Sequence, residues 1–298
     1  MKRVFTLISC ASILLASCSK ENEPRIQEPS ASNGPQLIFQ LHFDSTLARL
    51  DNFGNPATIP VGNSAQSPRF NNMSAHYIEF AQDSTTQLGQ GEIVYHGYET
   101  TAGGNNAVDF ERAITKSDGE QFYKIPLSQV SAGTYEWIRV SLTYQNYDID
   151  YKSAGTMYSG TLASFVGFNT YIKDYTINTQ SLIINANRAQ GYWGFETTVL
   201  GTPYVFEGQA PGTTVVNPIA STSPIPAGSC VVTGDFPTPL VITGNEQADI
   251  TVHINLSTNK SFEWKDLNMD GIYEPSDGVS PGDTVVDMGL RGLFPTYQ

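Results

Sequence analysis

The chain has 298 residues, 40% of them hydrophobic, and carries 29 acidic against 16 basic side chains for a formal charge of −13 at pH 7. A surface this acidic repels nucleic acid and anionic lipid, which excludes both as electrostatic partners. The length and apolar fraction suit a substantial core, in one large β domain or two smaller ones.

At the N-terminus, Lys2 and Arg3 precede a mostly apolar run from Val4 to Ala16, the order of a secretory signal peptide. The run is too short to cross a bilayer as a permanent helix. It closes on Leu15-Ala16-Ser17-Cys18, which resembles the lipobox of bacterial lipoproteins. That resemblance implies removal of residues 1–17, diacylation of Cys18 and attachment to a membrane through the lipid. The following Ser19-Lys20-Glu21-Asn22-Glu23 is similar to the lysine-and-acid tags that send lipoproteins of Bacteroidota to the outer face of the outer membrane. Residues 18–35 hold prolines, serines and charges with almost no large apolar side chains, so they read as a disordered tether. As a coil it reaches on the order of 20–25 Å. Cys10 leaves with the leader and Cys18 carries lipid, so Cys230 stands alone and reads as a small buried strand residue.

Residues 36–298 show period-two alternation nearly throughout. Leu37, Phe39, Leu41 and Phe43 predict a first strand, and Ala75–Gln82, Glu92–Tyr98 and Glu120–Leu127 predict the next ones. Ile138, Val140, Leu142 and Tyr144 mark another; Thr161–Tyr175, Ser181–Asn187 and Tyr192–Leu200 follow. Val231–Gly234, Leu240–Thr243, Ile250–Leu256 and Thr284–Met288 complete the series. Gly103-Gly104-Asn105-Asn106, Ser117-Asp118-Gly119 and Ser257-Thr258-Asn259-Lys260 are turn clusters, and no segment carries a sustained helical stripe. The predicted fold is an all-β antiparallel sandwich, jelly-roll-like. Gly201 to Gly228, rich in Pro, Gly and Thr, is predicted as a long surface loop, the alternative being a sub-boundary between two sandwiches within 201–228.

One segment carries definite ligand chemistry. In Asp266-Leu267-Asn268-Met269-Asp270-Gly271-Ile272-Tyr273-Glu274-Pro275-Ser276-Asp277, oxygen-bearing side chains fall at positions 1, 3, 5, 9 and 12 with glycine at 6. Calcium takes six to eight oxygens, and this spacing converges Asp266, Asn268, Asp270, the Ile272 carbonyl, Glu274 and Asp277 on one point. The flanks read as strands, so the loop resembles the isolated calcium loops of extracellular proteins, of the dockerin or thrombospondin-repeat sort. The expected Ca²⁺ is structural and weakly held, at about 10⁻⁴–10⁻³ M.

Catalytic patterns are mostly negative. Gly278-Val279-Ser280-Pro281-Gly282 matches a nucleophile elbow in letters only, because an acidic loop precedes it and Pro281 bars a following helix. His42, His76, His96 and His253 are spread one per strand without metal-ligand spacing. Glu79, Asp109, Glu111, Glu196 and Glu207 are available acids, but a glycosidase pair is defined by distance, not spacing. Tyr144, Tyr147, Tyr151 and Trp193, interleaved with amides and carboxylates, are a candidate ligand surface for a glycan or protein, or else ordinary sandwich core.

Ser74-Ala75-His76-Tyr77-Ile78-Glu79, Ala132-Gly133-Thr134-Tyr135-Glu136-Trp137, Gly191-Tyr192-Trp193-Gly194-Phe195-Glu196 and Val286-Asp287-Met288-Gly289-Leu290-Arg291-Gly292-Leu293, with the lipobox, resemble a group of Bacteroidota surface lipoproteins. The region around His76 and the Ala132–Tyr135 turn are also similar to all-β MbnP-like periplasmic proteins, although no specific metal motif accompanies that similarity. Asp44-Ser45-Thr46 and Asp83-Ser84-Thr85 fit the short O-glycosylation signal of the same phylum. The expectation is an outer-membrane-anchored, non-catalytic β-sandwich lipoprotein that binds a partner at the cell surface. A glycan-acting hydrolase and a periplasmic transition-metal binder are the alternatives, the latter requiring at least three of the histidines to meet.

Overall fold

The computed structural model describes residues 34–51, 54–210, 221–276 and 281–298. Cys18, the leader and nearly all of the tether lie outside the described residues, as do Asp277 and Gly278 to Ser280. In chain order the strands are β1 (Gln36–Asp44), β2 (Asn63–Gln66), β3 (Arg69–Ala81), β4 (Glu92–His96), β5 (Glu99–Thr100) and β6 (Ala107–Asp109). Next come β7 (Thr115–Lys116), β8 (Gln121–Pro126), β9 (Gly133–Ser153), β10 (Thr156–Phe165), β11 (Asn169–Thr176), β12 (Ser181–Ala189) and β13 (Tyr192–Val199). The rest are β14 (Thr202–Gln209), β15 (Cys230–Ile242), β16 (Ile250–Ser257), β17 (Phe262–Lys265), β18 (Thr284–Asp287) and β19 (Leu293–Tyr297). Only two short 3₁₀ turns accompany them among the described residues, so the fold is the all-β sandwich that the alternation predicts.

The largest sheet has the order β14-β13-β10-β9-β3-β4, with β15 and β7 added on β9 and β3. A second sheet, β19-β16-β1-β8, covers its β3–β9 end. Pairing is antiparallel apart from β1 with β16 and β6 with β11, which run parallel. The first core lies between these two sheets, where Leu37, Phe39 and Leu41 meet Val252, Ile254, Ile78, Phe80, Ile138 and Val140. Each such side chain contributes about 1.5–3 kcal/mol by leaving water.

β9 changes its apolar face along its length. Ile138, Val140, Leu142 and Tyr144 share one face, and Tyr147, Ile149 and Tyr151 share the other, because successive strand side chains alternate. The strand therefore serves the first core and then two more on opposite sides. A second core gathers Tyr144, Phe165, Ile172, Tyr175 and Tyr192, under the β12-β11-β6-β5 sheet. A third gathers Tyr147, Ile149, Leu162, Phe262 and Trp264, under the β18-β17-β2 sheet.

Three sequence expectations are corrected. The run Thr161–Tyr175 is two strands, β10 and β11, separated at Gly167, where an added Cβ would lie 3.0 Å from Thr143 Oγ1 and 3.2 Å from Thr170 Oγ1. Val231–Gly234 and Leu240–Thr243 belong to one strand, β15, whose register shifts between Asp235 and Leu240 at the stretch holding Pro237 and Pro239. The expected loop at Gly201–Gly228 begins instead with β14, a hairpin partner of β13. Its turn places Leu200 and Gly201 at φ +50° and +82°, the left-handed pair of a tight hairpin. Downstream of that segment, Phe236, Leu240 and Ile242 of β15 join the first core.

Candidate functional site

The face of the large sheet that holds Tyr147 and Ile149 continues outward into a cavity of about 850 Å³. Register explains its lining. Leu162 pairs with Phe195, Ser164 with Trp193, Phe195 with Phe206 and Thr197 with Tyr204, so one face of β10, β13 and β14 presents a single aromatic wall. Gly208 stands opposite Trp193 and leaves room for the indole, which an added Cβ would meet at 2.5 Å. Gly160 does the same beneath Phe195, at 2.2 Å. Phe262, Tyr273, Pro275, Val285, Val286 and Met288 form the facing wall. Tyr151 crosses the floor, its hydroxyl donating to Thr197 Oγ1 at 3.0 Å. Phe206 and Tyr204 remain 53% and 48% exposed, and Val286 48%, although all three are large apolar or aromatic side chains at the cavity.

The acidic loop enters this facing wall through Tyr273, Pro275 and Ser276. Asp266 is buried; its Oδ1 accepts from Met269 N at 2.7 Å, and its Oδ2 accepts from Gly271 N at 2.8 Å and Ser64 Oγ at 2.7 Å. Burial raises the Asp266 pKa, but the hydrogen bonds from Ser64, Gly271 and Met269 outweigh it and hold the carboxyl below its usual range. Asn268 Oδ1 accepts from Asp270 N at 3.2 Å, and Asp270 Oδ1 from Ile272 N at 2.9 Å. Asn268 Nδ2 donates to Glu274 Oε2 at 2.9 Å. Gly271, at φ +77°, makes the sharp turn that the spacing requires. Asp277 lies outside the described residues.

Two further side chains complete this loop. Asp283 accepts from Leu267 N and Glu274 N, both at 2.9 Å, and so ties the two ends of the loop together. Lys152, at the end of β9, donates its N–H to the Tyr273 carbonyl at 2.8 Å. Its ammonium group pairs with Glu274 and lies 3.4 Å from Asp270 Oδ2.

Of the aromatic residues in the candidate ligand surface, Tyr151 and Trp193 line the cavity. Tyr144 and Tyr147 do not: they are 4% and 0% exposed and belong to the second and third cores. The reason is the phase change in β9, which turns each of them inward on its own side. Tyr147 donates to the Met288 carbonyl at 3.1 Å, and Tyr144 accepts from Asn146 Nδ2 at 3.1 Å. Phe195, Tyr204, Phe206, Phe262 and Tyr273 line the cavity beyond the residues expected there; their signal in the sequence is the period-two repeat Trp193-x-Phe195 matched by Tyr204-x-Phe206.

Four of the five candidate acids are engaged in hydrogen bonds or ion pairs. Glu79, fully buried, accepts from Gly89 N at 2.9 Å and Gly91 N at 2.6 Å. Glu196 accepts from the backbone of Asn178 and Thr179 at 2.9 Å and Gln180 at 3.0 Å, closing the β11–β12 turn. Burial opposes that charge, yet these bonds and the Thr179 hydroxyl keep its pKa below the ordinary carboxylate value. Glu207 accepts from Tyr192 and Glu111 pairs with Lys173. Among the described residues the histidines form two separate pairs, His42 with His253 and His76 with His96, whose ring centroids lie 5.2 and 5.0 Å apart. The meeting of at least three histidines that the transition-metal alternative requires is therefore not made. No family model, curated protein or solved structure matches the chain.

Proposed function

We propose that the protein is an exported, lipid-anchored binding protein that takes one small, mainly apolar molecule into the aromatic-lined cavity, with a calcium-binding loop supporting one wall. The observation that carries this reading is the set of exposed Tyr204, Phe206 and Val286 at the cavity. Apolar side chains left in water together mark a surface that something else covers. A volume of about 850 Å³ falls within the range of small-molecule sites, about 300–1,000 Å³. The lining is mostly apolar, with polar side chains such as Ser153, Ser164, Gln190, Thr197, Ser276 and Asp287 in the minority, which favours an apolar ligand with a few polar groups over a free glycan.

The non-catalytic part of the reading rests on the acids, since Glu79 and Glu196 spend their oxygens on backbone N–H groups away from any shared cleft. The lipid anchor and outer-membrane address rest on the leader, Cys18 and the charged residues after it. The calcium part rests on the Asp266–Glu274 turn, where Asn268 Oδ1 and Asp270 Oδ1 each accept one backbone N–H and keep a second lone-pair direction. Titration of the full chain with an apolar, environment-sensitive dye tests the ligand reading. One saturable site is expected, with affinity at least tenfold weaker in Trp193→Ala and Phe206→Ala variants of unchanged melting temperature. Non-saturable binding, or saturable binding indifferent to both substitutions, overturns it.

A further inference from the structure

We infer that His76, His96 and Glu99 form a binding site for one divalent transition-metal ion of the zinc class, at the opposite edge of the large sheet from the cavity. The inference is independent of the ligand reading. His76 lies on β3 and His96 on the edge strand β4, where Tyr77 and His96 are register partners. Gly97 N then donates to the His76 carbonyl at 2.6 Å, turning the chain so that Glu99 comes back over both rings.

The distances suit a metal. Glu99 Oε1 lies 3.0 Å from His76 Nε2 and 3.3 Å from His96 Nε2, and the three ligand atoms all fall within 4.8 Å of one another. Zinc bonds of about 2.0–2.1 Å in a tetrahedron place ligand atoms about 3.3 Å apart. The second Glu99 oxygen accepts from Asn106 Nδ2 at 2.6 Å, an outer bond of the kind that orients ligating carboxylates.

The second observation is the state of His76. Its ring is 1% exposed, and neither nitrogen has an aligned hydrogen bond, the approach to Glu99 being close but poorly directed. A buried imidazole whose Nδ1 has no hydrogen bond and whose Nε2 meets only a poorly directed carboxylate is costly, and a metal ion at Nε2 removes part of that cost. Side-chain exposures of 11% at His96 and 19% at Glu99 leave the outer side open to a fourth ligand from solvent. Two imidazoles and one carboxylate suit zinc and its neighbours, whereas the oxygen-only Asp266–Glu274 loop suits calcium, so donor chemistry separates the two sites.

The test is calorimetric titration of the chelator-treated full chain with zinc alone, in excess calcium. One zinc per chain is expected. Glu99→Gln and His96→Gln, both at partly exposed positions, should each weaken it by more than about tenfold, because changes outside the ligand set already cost about ten- to a hundredfold. Cobalt(II) in place of zinc should give tetrahedral visible absorption that the same substitutions abolish, in variants that keep the wild-type β spectrum. Absence of zinc uptake by the folded wild type overturns the inference. So does uptake that survives both substitutions, or uptake lost only on His42→Gln, which would place the ion at the other histidine pair.

Discussion

Lys152 places its ammonium group between Asp270 and Glu274, two of the oxygen donors that a calcium ion would gather. Its pKa is raised, chiefly by the hydrogen bond to Glu274, so it stays charged and competes with the cation. Replacing it as Lys152→Met should strengthen calcium binding several-fold in a calorimetric titration; unchanged or weaker binding would show that Lys152 is not the competitor. The spacing of Asp266, Asn268, Asp270 and Glu274 is legible in the sequence because the loop is local. Lys152, 118 residues away from Asp270, is not. Glu196 gives a second residue-level prediction. Its folded pKa lies below the ordinary value of 4.5, so its contribution is fully present above pH 4.5 and is lost as pH falls toward the folded value. Glu196→Gln should flatten the acid limb of stability against pH, measured by denaturant unfolding, and an identical slope in both proteins would contradict this.

Among the elements, β14 explains why one expectation failed. Pro203 and Gly201 read as breakers, but β14 is the outermost strand of its sheet, where a missing N–H costs little. The alternation of Tyr204, Phe206 and Gly208 against Trp193 and Phe195 was visible; the pairing that gives it meaning was not. β9 failed in the opposite way. Its alternation was legible through Tyr144, but the spacing of three from Tyr144 to Tyr147, which moves the apolar face across the sheet, was read as a ligand surface. The two walls of the cavity should accordingly respond differently. Trp264→Ala, at a 1% exposed position behind the facing wall, should destabilise by about 3–5 kcal/mol. Phe206→Ala, half exposed, should change stability by no more than about 0.5 kcal/mol. Chemical denaturation of both variants checks the contrast, and equal losses would place Phe206 in a working core.

For the molecule as a whole, the all-β class was legible because alternation is a local property, while the meeting of distant strands around three cores was not. The acidic loop and the cavity share a wall, so whatever factor calcium applies to the ligand's affinity the ligand must apply to calcium's. Cys18→Ser should abolish fatty-acid labelling and release the chain from membranes, with persistent labelling counting against the anchor. The central claim is that the cavity holds one small apolar molecule, and its most direct test is native mass spectrometry of the full chain isolated from the cells that make it. The wild type should carry one small apolar molecule per chain, recoverable by organic extraction and missing from the folded Trp193→Ala/Phe206→Ala protein. A wild type that carries none, or a double variant that carries the same molecule in the same amount, would contradict the account.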